Sequence, residues 1–160
     1  MARRSRRATR GASRRAPPVE TVSGVRYIES SALLAALLER DVSARAALRG
    51  AGRRITSALT VAEAGRAILR ARAGGRLTAE DERAAVRDLG RFERRCHVVA
   101  ITDAVLARVR RPFPVEPVRT LDAVHLATVE LLGEPPALVT IVTRDVRVGD
   151  NARALGYAVE

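Results

Sequence analysis

Four acidic side chains lie where predicted strands end or where the following helices begin. Glu29 and Asp145 come directly after apolar runs, while Glu63 and Asp122 lie near the starts of predicted helices. Carboxylates gathered within a few ångströms repel one another and raise each other's pKa unless a cation sits among them. If the fold brings these four residues together, they predict a metal site.

The donor chemistry narrows the choice of metal and of reaction. Carboxylate oxygens, without a set of Cys or His ligands, select Mg²⁺ or Mn²⁺ over zinc. Such ions, in pairs roughly 3.5–4 Å apart, polarise a phosphodiester, generate hydroxide from bound water and stabilise the leaving oxygen. The predicted chemistry is therefore phosphodiester hydrolysis.

Local helix capping is the alternative explanation for each acid taken singly. Residues 60–63 (TVAE) form the pattern of a capping box. Asp122 and Asp145 each follow a threonine by two residues, as first-turn acids that complement the helix dipole by about 0.3–1 kcal/mol. Capping does not explain why such acids accompany the first, second and fourth strands of a fold that brings those strand ends together.

The elements that must position these acids alternate between strand and helix. Apolar runs predict strands at 25–29, 53–58, 96–101, 138–143 and 157–159, with helices at 30–41, 60–73, 78–95 and 102–109, from 120, and through 155. Strands alternating with helices indicate an α/β fold with a mostly parallel sheet. Right-handed crossovers then put the carboxyl ends of the strands on one edge, where open parallel sheets bind ligands.

The length of 160 residues fits one domain that buries roughly 68–70% of its unfolded surface. Hydrophobic residues make up 47% of the chain but aromatic residues only 2%, so the predicted core is aliphatic. Seven arginines and no acid lie in residues 1–15; subtracting those seven from the net charge of +11 leaves +4 for residues 16–160.

Residues 1–22 are predicted to form a disordered, arginine-rich arm, and residues 23–160 the folded domain. The arm could bind nucleic acid through phosphate contacts that carry no sequence preference. It could equally be a solvated tail, or the result of a start codon assigned too far upstream.

A single cysteine, Cys96, excludes an intramolecular disulfide framework and indicates a reducing compartment. No run of about 18 apolar residues could span a bilayer. No apolar stretch of the kind found in a secretory signal follows the basic start. We therefore expect a cytoplasmic protein without a membrane partner.

Four segments of the chain resemble the motif blocks of PIN-domain ribonucleases, especially the VapC toxins of toxin–antitoxin pairs. The segments are YIESSALLAALL, SALTVAEAGRAI, RTLDAVHLATVELL and VTIVTRDVRVGDNARALGYAV, in the family's order within residues 25–159. The resemblance implies a PIN-like (RNase H-like) sheet of five parallel strands in the order 3-2-1-4-5. It also implies Mg²⁺- or Mn²⁺-dependent cleavage of single-stranded RNA, a VapB-like antitoxin whose tail blocks the acidic groove, and a homodimer.

Site residues follow from the same resemblance. The catalytic acids are expected at Glu29, Glu63, Asp122 and Asp145; of these, Glu29, Asp122 and Asp145 are expected to bind the metal ion, and Glu63 to bind metal or orient the attacking water. Ser31 and Thr143 are expected to support them. Asp103 is left out because its strand is the third, at the sheet edge. Glu29 departs from the family, which usually has Asp there; the extra methylene moves the carboxylate by about 1.5 Å.

Several nearby residues have two interpretations. Arg119 and Arg144 could hold substrate phosphate or merely neutralise the acids. His125 could touch RNA but is more typical of a packing residue, and Asp150 is more typical of solvated surface than of an outer ligand.

Two other functions stay open: a PIN-fold protein that binds RNA or an antitoxin without cutting, and a metal-dependent phosphatase or receiver-like domain.

Overall fold

The computed structural model describes residues 24–160, so the predicted arm at residues 1–22 lies outside the described residues. Within residues 24–160 the chain forms five strands and seven α-helices, with a 3₁₀ turn at Pro136–Leu138. Their order is β1 (Val25–Ile28), α1 (Ser30–Leu37), α2 (Val42–Ala47), β2 (Arg53–Ser57), α3 (Ala58–Ala73), α4 (Ala79–Glu93), β3 (His97–Val99), α5 (Asp103–Val109), α6 (Thr120–Glu130), β4 (Val139–Val142), α7 (Val146–Ala154) and β5 (Ala158–Val159). None of these helices is long and apolar enough to cross a bilayer.

The strands form one sheet in the order β3-β2-β1-β4-β5, with every neighbouring pair parallel, as predicted. Strand β1 is central, and its last residue, Ile28, pairs with Thr56 of β2 and Val142 of β4. The residues that follow β1 and β4, Glu29 and Thr143, are therefore level with each other at the carboxyl edge of the sheet.

Both faces of the sheet are covered by helices, so β1 is buried along its whole length. Successive side chains of a strand point to opposite faces. Tyr27 belongs to the hydrophobic cluster that includes residues of α5, α6 and α7. Ile28 belongs to the cluster that includes residues of α1, α3 and α4. Helices α3 and α6 consequently approach the carboxyl edge of the sheet from opposite faces.

Two predicted helices differ in the structure: the helix predicted at 30–41 is divided into α1 and α2, and α3 begins before residue 60. Helix α1 ends at Leu37 because Arg40 adopts a φ of 56° and the Asp41 carboxylate caps a new helix, α2, by accepting from the Ala44 N–H at 2.9 Å. Helix α3 begins at Ala58, capped by the Ser57 hydroxyl, rather than at residue 60. The predicted capping box at residues 60–63 is therefore wrong.

The loop before α6 is fastened to α7 by one buried side chain. Asn151 is fully buried; its Oδ1 accepts from the Val115 N–H at 2.9 Å, and its Nδ2 donates to the Val115 carbonyl at 2.8 Å. The same Nδ2 donates to the Arg147 carbonyl at 3.1 Å. Because this loop leads directly into α6, Asn151 helps to set where that helix begins.

We expect Asn151→Ala to destabilise the protein by roughly 1–3 kcal/mol, since it removes the two hydrogen bonds to the Val115 backbone, each with a net contribution of about 0.5–1.5 kcal/mol. The measurement is urea unfolding followed by circular dichroism. The matched control is Asp150→Ala: Asp150 is the exposed neighbour on the same helix, and its substitution should change stability by less than about 0.5 kcal/mol. Equal stability of the two variants would show that Asn151 does not anchor the loop.

Candidate metal centre at the carboxyl edge of the sheet

The four predicted acids lie on elements that meet at the carboxyl edge. Glu29 is the N-cap of α1, immediately after β1, and Asp145 is the N-cap of α7, just after β4. Glu63 lies in the second turn of α3, and Asp122 in the first turn of α6. Each side chain is thus carried by a different helix, and the sheet order brings the starts of these helices together.

The Glu29 carboxylate is buried and held by hydroxyl groups. Its Oε1 accepts from Ser30 Oγ at 2.5 Å. Its Oε2 accepts from the Ser31 N–H at 3.0 Å, from Thr143 Oγ1 at 2.8 Å and from Ser31 Oγ. An ionised carboxylate oxygen offers about two lone-pair sites. Oε2 is therefore saturated, and Oε1 is the atom with capacity left for another partner.

Ser31 and Thr143 connect the first and fourth strand ends. Because the Ser31 hydroxyl donates its proton to Glu29, its oxygen is free to accept from the backbone N–H groups of Arg144 at 2.8 Å and Asp145 at 3.1 Å. Thr143 Oγ1 likewise accepts from the Asp145 N–H at 3.0 Å. The two hydroxyls therefore fix Glu29 and the backbone of Asp145 relative to each other.

Glu63 and Glu29 converge on one histidine. His125 Nε2 lies 3.0 Å from Glu63 Oε2 and 3.6 Å from Glu29 Oε1, and the imidazole is almost fully buried. Burial alone would raise the pKa of the Glu63 carboxyl. The hydrogen bond from His125, with the nearby Ser30 hydroxyl and the positive charge of Arg70, instead holds that pKa below its usual value. Glu63 is consequently ionised at neutral pH.

Asp122 is the acid that lacks a partner. Its Oδ2 is buried and has no hydrogen-bond partner among the described residues. The pKa of Asp122 lies above its usual value: burial raises it most, and the negative charges of Asp145 and Glu29 raise it further, against the opposing effect of Arg119 and His125. A cation beside this oxygen would stabilise the charged carboxylate, offsetting the cost of its burial and the repulsion from Asp145 and Glu29.

Helix capping accounts for only part of this cluster. Asp145 Oδ1 does cap α7, accepting from the N–H groups of Arg147 at 2.8 Å and Val148 at 3.2 Å, and Glu29 caps α1. Glu63 lies too far into α3 to cap it. Asp122 makes no cap contact because α6 begins after Arg119 without a side-chain cap. Helix capping therefore explains neither of these last two carboxylates, although Asp122 still lies in the first turn of α6, where an acid complements the helix dipole.

The arrangement is suited to a divalent cation. Ligand atoms of Glu29, Glu63 and His125 all lie within 4.8 Å of one another, whereas among the described residues Asp122 and Asp145 are not part of this close group. The free Oε1 of Glu29, the unpartnered Oδ2 of Asp122 and the second oxygen of Asp145 are nonetheless hard donors of the kind Mg²⁺ and Mn²⁺ prefer. The chemistry of these donors therefore fits such an ion.

His125 is the site residue that sequence reasoning missed, having been favoured as a packing residue. It is buried, as a packing residue would be, but both ring nitrogens lie within hydrogen-bond distance of polar side chains. Its position three residues after Asp122, on the same face of α6, was the available signal. Tyr27, whose hydroxyl contacts His125 Nδ1, lies two residues before Glu29, in β1.

Other candidates fall into two groups. Arg119 and Arg144, with the unpredicted Arg147, line an open groove of about 490 Å³ beside Asp145. Asp150 and Asp103 are both exposed, and Asp150 accepts a hydrogen bond from Arg153 at 3.1 Å. Asp103 follows β3, which is at the sheet edge.

Comparison with known proteins identifies several relatives by sequence. The family model described as PIN domain matches residues 26–154. Ribonuclease VapC35 of Mycobacterium tuberculosis strain H37Rv is 37% identical over 141 residues, which cover 83% of this chain and 93% of that protein. Ribonuclease VapC46 of the same strain is 38% identical over 139 residues, covering 83% and 94%.

Two solved structures share the fold at low sequence identity. VapBC-1 from nontypeable Haemophilus influenzae superposes with a TM-score of 0.55 at 11% identity, covering 85% of this chain and 96% of that chain. VapBC2 from Rickettsia felis, bound to a DNA fragment from the promoter, superposes with a TM-score of 0.59 at 11% identity, covering 85% and 97%.

We expect Asp122→Asn to raise the melting temperature of the metal-free protein at neutral pH, because it removes a charge that burial and neighbouring acids disfavour. An acid whose pKa is raised by folding destabilises the folded state above that pKa. The gain should therefore be full at neutral pH and vanish as the pH falls through the pKa of Asp122 toward the unfolded value of about 3.9. The measurement is thermal unfolding in chelator across this range.

The control for this substitution is Asp103→Asn, which changes an exposed first-turn acid of α5 and should leave the melting temperature nearly unchanged. Added Mg²⁺ or Mn²⁺ should stabilise the unsubstituted chain, because a ligand that binds only the folded state raises its stability, but not Asp122→Asn. The account of the cluster is contradicted if Asp122→Asn melts below the unsubstituted chain at neutral pH in chelator.

Proposed function

This chain belongs to the PIN-domain ribonucleases of the VapC family, and from that membership we propose that it is a Mg²⁺- or Mn²⁺-dependent endoribonuclease of single-stranded RNA. The observation that carries the metal dependence is the buried, unpartnered Oδ2 of Asp122, whose pKa is raised by burial and then by Asp145 and Glu29. A divalent cation beside that carboxylate would stabilise its charged form.

The proposed metal ligands are Glu29, through Oε1, with Asp122 and Asp145. Bound there, the ion supplies Lewis-acid polarisation of the phosphodiester and lowers the pKa of a water molecule. Ser31 and Thr143 hold the Glu29 carboxylate and the Asp145 backbone in place. Their role is to keep these ligands close despite repulsion.

Glu63 is proposed to orient the attacking water molecule. It is ionised at neutral pH, and its carboxylate lies at the free edge of the cluster, half-buried rather than enclosed. Because its pKa is lowered, Glu63 is a weak base, so its proposed role is to hold the water molecule rather than to take its proton. Direct contact with the metal ion is the other role open to Glu63.

Substrate binding is proposed to rest on charge rather than on base stacking. Arg119, Arg144 and Arg147 line the groove beside Asp145, and guanidinium groups bind phosphate by paired hydrogen bonds. All four aromatic side chains, at positions 27, 92, 113 and 157, are buried or half-buried. Stacking platforms of the kind that bind single-stranded bases are therefore scarce at the surface of the described residues.

We also propose an antitoxin partner and a homodimer. The two solved structures that share this fold are those of VapBC-1 and VapBC2. A VapB-like tail bearing arginine would complement the acidic cluster. Co-purification with the product of a small neighbouring gene, and the mass of the chain in solution, test these two proposals separately.

A protein of this fold that binds RNA or an antitoxin without cutting is the second candidate. Saturation of Glu29 Oε2 by three donors favours it, because only one oxygen of that carboxylate is left for a cation. Cleavage assays distinguish the two candidates.

We expect the full chain to cut single-stranded RNA with Mg²⁺ or Mn²⁺ and not in chelator. Asp122→Asn should lower kcat/KM by about 100-fold or more, because a ligand charge at the reacting phosphate is lost. Asp150→Asn, an exposed acid on α7, is the control and should cut normally. Cleavage that persists in Asp122→Asn, or that neither metal supports, would favour the binding protein.

We expect Arg147→Ala to raise KM for RNA by roughly 3–10-fold with little change in kcat, because it removes phosphate binding common to ground and transition states. The salt dependence of binding should also weaken. Arg153→Ala, an exposed arginine farther along α7, is the control. Equal KM values for the two variants would remove Arg147 from the substrate site.

A further inference from the structure

A buried chain of hydrogen bonds runs from β1 to α3 through α6. The Tyr27 hydroxyl lies 2.9 Å from His125 Nδ1, and His125 Nε2 lies 3.0 Å from Glu63 Oε2. Tyr27 and His125 are both almost completely buried. The chain therefore links the hydrophobic core to one carboxylate of the proposed active site.

The contact between Tyr27 and His125 is compatible with two directions. A neutral phenol hydroxyl can donate or accept, and in a neutral imidazole one nitrogen accepts and the other donates. The surroundings of the other ring nitrogen, Nε2, therefore decide which tautomer His125 adopts.

The contact of Nε2 with Glu63 and Glu29 fixes the tautomer. A bare Nε2 would aim its lone pair at two carboxylate oxygens, 3.0 Å away in Glu63 and 3.6 Å away in Glu29. Lone pairs facing each other at these distances repel. A proton on Nε2 turns the contact with Glu63 into a hydrogen bond. Nδ1 of the neutral imidazole is then the acceptor, and the Tyr27 hydroxyl donates to it.

We propose that His125 is a positioning residue, held by Tyr27 as the Nε2–H tautomer, that donates to Glu63 and fixes its carboxylate beside Glu29. The effect on cleavage rests on the proposed function, in which Glu63 orients the attacking water molecule. The tautomer itself does not depend on that function.

The same geometry argues against His125 as a metal ligand, although its Nε2 lies within 4.8 Å of ligand oxygens of Glu29 and Glu63. A metal ion binds an imidazole nitrogen through its lone pair. With Nδ1 accepting from Tyr27 and Nε2 protonated, neither nitrogen has a lone pair to offer. His125 therefore acts on the site through Glu63.

Glu63 needs such a support because of where it lies. Its side chain extends from the second turn of α3, without a helix-capping contact of the kind that holds Asp145. A glutamate side chain loses appreciable rotamer entropy when fixed. A misplacement of about 1 Å at a reacting group can slow a reaction by about 100-fold. The buried imidazole restricts Glu63 before substrate arrives.

The first test observes the tautomer directly, by long-range ¹H–¹⁵N correlation NMR of the full-length, metal-free protein. The chain has two histidines, and His97→Gln, an exposed substitution on β3, assigns the spectrum. The expected result is an Nε2–H pattern for His125, with an Nδ1 resonance that moves in Tyr27→Phe. An Nδ1–H pattern would overturn the proposal without any substitution at the site.

The second test uses two replacements, each of which keeps a polar group near one of the two ring nitrogens of His125. His125→Gln retains an N–H near the position of Nε2, and His125→Asn retains an acceptor near Nδ1 that does not reach Glu63. We expect kcat to fall by about 100-fold in His125→Asn and by less than about 10-fold in His125→Gln, with KM for RNA unchanged in both. Equal losses of kcat in the two variants would contradict positioning through Glu63.

Mn²⁺ binding without RNA separates positioning from ligation. Both variants should keep the Mn²⁺ affinity of the unsubstituted chain within about threefold, since RT ln 3 is roughly 0.65 kcal/mol. The electron spin echo of bound Mn²⁺ should show no ¹⁴N coupling from the imidazole. A coupling that disappears in His125→Asn would make His125 a ligand and overturn the proposal.

The failure of this inference and of the proposed function are distinguishable. An Nε2–H tautomer together with undiminished cleavage by Asp122→Asn would leave His125 as a donor to Glu63 in a protein that is not the proposed metal-dependent nuclease. An Nδ1–H tautomer together with loss of cleavage in Asp122→Asn would keep the nuclease and refute the inference.

Discussion

Repulsion between carboxylates at the carboxyl edge of the sheet is the interaction to which the rest of the site responds. The parallel order β3-β2-β1-β4-β5 places the ends of β1 and β4 side by side, and helices α3 and α6 bring two more acids to the same edge. The chain does not neutralise them equally. Glu29 and Glu63 receive hydrogen bonds from hydroxyl and imidazole groups, whereas Asp122 keeps a buried oxygen without a partner. The instability is therefore concentrated on one residue, which a cation can stabilise.

Much of the polar network stabilises the backbone around the site rather than the acids themselves. Thr143 and Ser31 each donate to Glu29 and accept from the Asp145 N–H, so two segments far apart in sequence are joined by hydroxyl groups. Asn151 fastens the loop that leads into α6. These contacts hold the acids close in the absence of metal, and such preorganisation is how a protein keeps a destabilising site in a folded structure.

The sheet and the meeting of the helix starts could be predicted from sequence, because apolar runs alternating with helical stretches allow few topologies and the PIN resemblance specifies the strand order. The start of α3 could not be predicted, because both Ser57 and Thr60 are suitable helix caps. Tertiary contacts decide between them: the Thr60 hydroxyl is buried, 3.5 Å from the Ile28 carbonyl, and Ser57 caps the helix. The role of His125 could not be predicted either, because it depends on a contact with Tyr27, which is 98 positions away in the sequence. The saturation of Glu29 depends on side-chain rotamers, which a sequence pattern does not encode.

The central claim is that Asp122 and its neighbours are held together as a binding site for a divalent ion. The most direct measurement is anomalous diffraction at the manganese edge from crystals of the chain grown with Mn²⁺. The account predicts a peak about 2.0–2.3 Å from Asp122 Oδ2, with oxygens of Glu29 or Asp145 completing the site. A map from Mn²⁺-saturated crystals with no peak among these carboxylates would contradict it.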